Sequence, residues 1–283
     1  MHEPRLGRDP RAWAGVLILL LAFATALLAP LVATHDPSAI GDVAANRFQP
    51  PLSLDQDGRV HALGTDRFGR DVWTRLAYGA RISLATGLLA TLIASVLGTG
   101  VGLVAGVWRG GVGLLLLGVT DFALAVPRVV LLLLLAALWE PGGFMVIVVL
   151  GLTGWMGTAR LVYGEAAAAM SRPYVSAARA LGAARVRIAM RHVLPNALTP
   201  VVVAGALGVG NAIMLEAGLS FLGLGVQPPA PSWGGMIASG RETIVNAPWV
   251  ALAPGLALVI VVVGFTLLGD ALNDHLAGPS AGS

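Results

Sequence analysis

Few side chains in this sequence can do chemistry, and the ones that can stand in apolar surroundings. Asp121 and Arg128 interrupt an aliphatic run over residues 112–138, and Glu216 ends another, followed closely by Ser220 and Phe221. Ionised groups in such runs are costly to bury and normally face protein or a water-filled path. The chemistry on offer is therefore charge recognition rather than bond making. Nucleophilic and metal chemistry lack their parts: there is no Cys, and the 5 His residues are scattered without ligand spacing. No catalytic residue and no metal ligand is expected. All 18 basic residues are Arg, so a Gly-rich phosphate loop ending in Lys is excluded and no nucleotide site is expected in this chain.

Each of these groups has two readings. Asp121 and Arg128 are seven positions apart, on roughly one face of a straight helix, and about 10 Å of rise separates them, too far for a direct pair without bending. They are contacts along a translocation path or at a subunit interface, or they are charges at the boundary of a span. Glu216, Ser220 and Phe221 begin a stretch of small residues and paired prolines that reads as a tight external turn. That turn is an outer gate, or a rigid surface loop.

The elements that position these residues follow from composition. Of 283 residues, 56% are hydrophobic and 12% charged, with mean hydropathy +0.80, which places the chain in a membrane. The formal charge of +3 is too small to imply nucleic-acid binding. Apolar runs over residues 12–33, 82–107, 112–138, 144–162, 197–215 and 250–268 are each long enough to cross a bilayer, which takes about 20 residues. An all-α protein of about six transmembrane helices is expected. The first run, of 22 residues behind Arg5, Arg8 and Arg11, exceeds the apolar core of a signal peptide and reads as a retained span. The segment from 34 to 81 is polar and punctuated by Pro37, Pro50, Pro51 and Gly58, so it reads as an external loop. From Arg67 the pattern turns amphipathic and predicts a helix lying in the membrane interface, or simply the lead-in to the next span. The chain then divides into residues 1–81, with tail, first span and external loop, and residues 82–283, with five spans and a polar loop over 164–196.

That polar loop holds the densest positive charge. Arg172, Arg179, Arg185, Arg187 and Arg191 occur within it, with no acidic residue from 172 to 196. Positive charge in short loops marks the cytoplasmic side, which places both termini inside as well. Tyr174 to Gly182 predicts a short helix ended by the glycine. A second helix over 183–193 gathers Val186, Ile188, Met190 and Val193 into one apolar set, and Leu194 and Pro195 start the next span.

The same loop carries a resemblance. Ser176, Ala177, Ala178, then Gly182, then Val193, Leu194 and Pro195 have the spacing of the EAA loop of ABC importer permeases. The stretches over 64–84 and 216–237 are similar to the second permease subunit of dipeptide, oligopeptide and nickel uptake systems. Ser176 stands where the general motif has Glu, and His192 where it has Ile. The resemblance implies the type I importer permease fold in a bacterial inner membrane. It also implies partners: a second, similar permease, two cytoplasmic ATPases that bind the ATP, and an extracytoplasmic solute-binding protein. Tyr174, Ser176, Ala177, Ala178, Arg179, Gly182, Arg187, Arg191, His192, Leu194 and Pro195 would form the ATPase-coupling loop. The other reading of the composition is an ATPase-independent secondary transporter or channel.

Overall fold

The computed structural model describes residues 7, 9–33, 35–38, 40, 43–55, 58–108 and 110–276; Arg5, Arg8, Asp42, Asp57 and Arg109 lie outside the described residues. Helix α1 (Pro10–Leu27) starts at the N-cap Asp9, which accepts the Arg11 N–H, with Pro10 preset for the first turn. A single turn, α2 (Ala29–Val32), follows, then α3 (Val43–Asn46) and a small antiparallel ribbon of β1 (Ser53–Leu54) and β2 (Val60–His61). Helix α4 (Val72–Val107) is 36 residues long and is capped by Asp71, which accepts the Thr74 N–H at 2.7 Å. The interfacial helix expected from Arg67 is absent. Residues up to Asp71 form a loop closed by a Thr65–Asp71 bridge, and the amphipathic pattern beyond it belongs to the first turns of α4.

The run over 112–138 is not one straight span. It folds as α5 (Gly111–Ala125) and α6 (Arg128–Ala136), bent by 88°. Pro127 explains the break, since it forces Val126 into extended backbone and cannot donate into a continuing helix. Its carbonyl instead starts α6, accepting from Val130 and Leu131. Among the described residues, five helices are long and apolar enough to cross a membrane, and this bent pair makes a sixth if it counts as one span.

Helix α7 (Gly143–Met170) returns, and α8 (Pro173–Ala180) makes a short foot. Next come α9 (Arg185–Ile188) and a π turn (Ala189–Val193), which run directly into α10 (Leu194–Phe221). The second loop helix is thus the base of the fifth span, not a separate strut. Short α11 (Trp233–Arg241) and long α12 (Trp249–Leu276) complete the described residues.

Burial is inverted relative to a water-soluble core. Small residues such as Ala77, Ala80, Ala90 and Ala105 are buried, while Leu17, Leu114, Leu115 and Phe122 are exposed. In lipid the apolar surface gains little from leaving its solvent, so helices associate through close packing of small residues. Leu103, Val107, Val162, Val175, Ile188 and Val193 form one cluster that ties the foot to the bundle. At the same end Arg11 bonds Asp274 at 2.9 Å, and Asn273 and Leu276 line a cavity with Arg172 and Tyr174. Both ends of the described chain therefore sit beside the 172–196 loop.

Candidate docking loop and solute path

Helix α8 starts with Pro173 and ends in a Schellman motif. Gly182, at φ +81°, donates to the Arg179 carbonyl and Ala183 to the Ala178 carbonyl, both at 3.0 Å. Such a left-handed exit is easy for glycine and costly for branched residues. Val175 is fully buried and anchors the helix, so its other faces point away from the bundle. Tyr174, Ser176, Ala177, Arg179, Gly182, Arg187, Arg191 and Pro195 are exposed, and Ala178, His192 and Leu194 half-buried. The Tyr174 and His192 rings meet at 5.9 Å. The apolar set expected over 183–193 divides: Ile188 and Val193 enter the core, while Val186 and Met190 are exposed, as is Leu181. The π turn changes the angular register within this segment, which a uniform helical period does not anticipate. The foot thus offers a surface of mixed Arg and apolar side chains on a rigid base.

Asp121 and Arg128 fall on different helices because of the bend. Asp121 bonds Arg160 of α7 at 2.7 Å, with both side chains about half exposed. Arg160 lies 39 residues from Asp121, and no local sequence pattern links the two. Arg128 turns into a groove of about 220 Å³ lined by Ala94, Ser95, Thr158, Gly208 and Asn211 among others. Its Nη2 reaches the Leu150 carbonyl at 3.4 Å, and its buried Nε has no hydrogen-bond partner among the described residues. A Cβ at Gly154 would sit 3.1 Å from this guanidinium, so the glycine provides its space. A guanidinium with spare donors in a groove of small residues is suited to a carboxylate.

Glu216 is not at an outer rim. It lies within α10, fully buried, where Ser220 donates to it at 2.7 Å and Ser83 at 3.3 Å. Ser83 in turn accepts the Trp233 N–H at 3.1 Å, so one carboxyl group links α4, α10 and α11. Ser83 is 133 residues from Glu216, and nothing in the sequence announced it. Substituting Glu216→Leu would leave two buried hydroxyls without their acceptor, at about 1–3 kcal/mol each. Thermal melts of the detergent-solubilised chain are expected to show a clear loss for Glu216→Leu and a smaller one for Glu216→Gln, which keeps an acceptor.

Phe221 lies at the end of α10 with the Arg241 guanidinium 4.9 Å above its ring. It lines a mouth of about 640 Å³ with Arg67, Arg70, Arg75 and Ser220. Asp66 holds this basic rim by pairing with Arg70 at 2.7 Å. The residues after Phe221 are not only a turn: Ser232 caps α11 by accepting the Gly235 N–H at 3.1 Å. Elsewhere, one set of described residues has metal-ligating reach, His35, Asp55 and His61, with ligand atoms within 4.8 Å of one another.

Residues 98–278 match the family described as binding-protein-dependent transport system inner membrane component, and residues 4–51 the N-terminal transmembrane domain of oligopeptide transport permease C. The chain is 38% identical over 265 residues to the di/tripeptide transport system permease protein of Pseudomonas aeruginosa, covering 94% of this chain and 87% of that one. It is 35% identical over 272 residues to the dipeptide transport system permease protein of Alkalihalophilus pseudofirmus, covering 96% and 87%. In fold it is similar to the methionine ABC transporter MetNI in an inward-facing conformation, with TM-score 0.55 and 21% identity over 69% of this chain and 93% of that one. The chain belongs to the family of inner membrane components of binding-protein-dependent transport systems, with the all-α fold of an ABC importer permease.

Proposed function

We propose that this chain is one of two permease subunits of an ATP-driven importer of peptides or a related small solute. The Pro173–Ala180 helix carries the proposal: it is pinned by the buried Val175, stopped by the left-handed Gly182, and otherwise exposed. A short rigid helix of this kind fits a groove on a cytoplasmic ATPase and transmits its movement to α10 through the continuous base of that span. ATP binds to the ATPases, and this chain contributes a two-state helix bundle whose equilibrium its partners bias. The grouping of both ends of the described chain with the basic loop supports cytoplasmic termini. The half-exposed Asp121–Arg160 pair supports a second permease on that face, because intramembrane charges normally face protein or a water-filled path. The basic mouth around Phe221 is where a solute-binding protein would deliver its cargo.

The experiment is affinity purification of the chain co-expressed with its genomic neighbours, followed by uptake in proteoliposomes. Recovery of two ATPases and a second permease is expected; a preparation that transports without any ATPase favours the secondary-transporter reading instead. In the same assay Arg128→Gln is expected to reduce uptake of a free-acid dipeptide about tenfold or more, the worth of a charge-assisted contact of about 1.5–3 kcal/mol. Uptake of the C-terminally amidated dipeptide is expected to change little. Equal losses for both peptides would remove Arg128 from cargo recognition.

A further inference from the structure

The histidines that showed no ligand spacing in sequence are brought together by folding, at the end of α4 opposite the docking loop. His35 follows α2, Asp55 follows β1, and His61 ends β2. Asp55 Oδ2 lies 3.1 Å from His35 Nε2, and the two imidazoles stack with centroids 4.4 Å apart. The side chains of His35, Asp55 and His61 are 15%, 13% and 4% exposed, so the cluster is a built pocket rather than a surface coincidence.

Two of the three groups are already aimed. Asp71 Oδ1 lies 2.9 Å from His61 Nδ1 in a fully buried contact, while its Oδ2 accepts the Thr74 N–H at the start of α4. An ionised carboxylate only accepts, so His61 carries its hydrogen on Nδ1 and presents the Nε2 lone pair. A carboxylate behind an imidazole in this way is the usual support for a metal-ligating histidine. The other oxygen of Asp55 accepts the Arg59 N–H at 2.7 Å, and Oδ2 is the oxygen that faces His35. The His35 to Asp55 separation is already close to the ligand-to-ligand distance of a tetrahedral zinc site, about 3.3 Å for bonds of about 2.0 Å.

We propose that His35 Nε2, His61 Nε2 and Asp55 Oδ2 form a binding site for a zinc-class divalent transition-metal ion, with water as the fourth ligand. Two imidazoles and one carboxylate suit borderline ions such as Zn²⁺ or Co²⁺, and not Ca²⁺ or Mg²⁺, which take oxygen ligands throughout. The ion replaces the direct His35–Asp55 contact, and the His35 ring turns out of its stack on His61, which Asp71 holds in place, so that both Nε2 lone pairs converge on the ion. It ties together the exit of the first span, the β1–β2 ribbon and, through Asp71, the N-terminus of α4. Loop order at this end of the bundle then depends on metal.

The test is Co²⁺ titration of the full chain in detergent, purified with a tag free of histidine. A tetrahedral visible spectrum saturating at a single ion per chain, bleached by Zn²⁺, is the expected result. His35→Gln and Asp55→Ala are expected to weaken binding by more than about tenfold, and His275→Ala to leave it unchanged. Zn²⁺ is expected to raise the thermal midpoint of wild type but not of His35→Gln. The proposal is overturned if folded wild type shows only the spectrum of hydrated Co²⁺, or if both ligand variants bind as tightly as wild type. His35→Gln keeps the buried His61–Asp71 contact, so its loss of binding cannot be charged to unfolding.

Discussion

Gly182→Val is expected to abolish coupled uptake while leaving membrane insertion intact. Gly182 holds φ +81°, a conformation that costs an L residue about 1–2 kcal/mol and a branched one more. A chain forced out of it loses both hydrogen bonds that close α8 and redirects Ala183 into the base of α10. No atom of the described residues lies within 4 Å of a Cβ at this position, so crowding inside the chain contributes nothing. The effect would arise from backbone strain and from whatever docks outside. Gly182→Asn separates these, because Asn tolerates the left-handed region. Uptake and ATP hydrolysis in proteoliposomes with the partner subunits are the readouts. Hydrolysis without uptake is expected for valine, and a milder loss for asparagine. Wild-type coupled transport by Gly182→Val would sink the docking assignment.

Gly102→Leu is expected to prevent the bundle from assembling, whereas Gly100→Leu, two residues away, is expected to be tolerated. At Gly102 a Cβ would meet the Ala159 carbonyl oxygen, with the Val162 Cβ 2.8 Å away; at Gly98 it would meet the Trp155 carbonyl oxygen at 2.5 Å. These obstacles are carbonyl oxygens and a Cβ fixed directly to the backbone, none of which has a rotamer to move aside, so α4 and α7 must separate along their length. Overpacking in a close-packed site costs about 1–3 kcal/mol and sometimes more, and here the contact that is lost is itself what holds lipid-soluble helices together. A Cβ at Gly100 meets nothing within 4 Å. The monodisperse fraction by gel filtration and the thermal midpoint are the measurements. Similar behaviour of the two variants would overturn the claim that close approach at Gly102 holds α4 against α7.

The membrane class, the spans and the importer family were legible because each rests on local pattern. The bend at Pro127 was also written in the sequence, but reading residues 112–138 as one hydrophobic run hid it: apolar content reports length, and only the proline reports direction. Glu216 was placed at a rim because the residues after it look like a turn. The helix continues for five more residues, to Phe221, since small and aliphatic side chains in lipid remain helical until the backbone finds another donor or acceptor.

By itself the sequence determined that this is an all-α membrane permease with a basic loop stopped by a glycine, because hydropathy, helix period and left-handed exits act over a few residues. The tertiary structure alone decided which charges meet. Asp121 chose Arg160 rather than Arg128, Glu216 took Ser83 from α4 as well as Ser220 one turn along its own helix, and His35 came to stack on His61 beside Asp55. Such partners are set by helix crossings and by where a ribbon folds back, and those depend on close packing between segments dozens of residues apart.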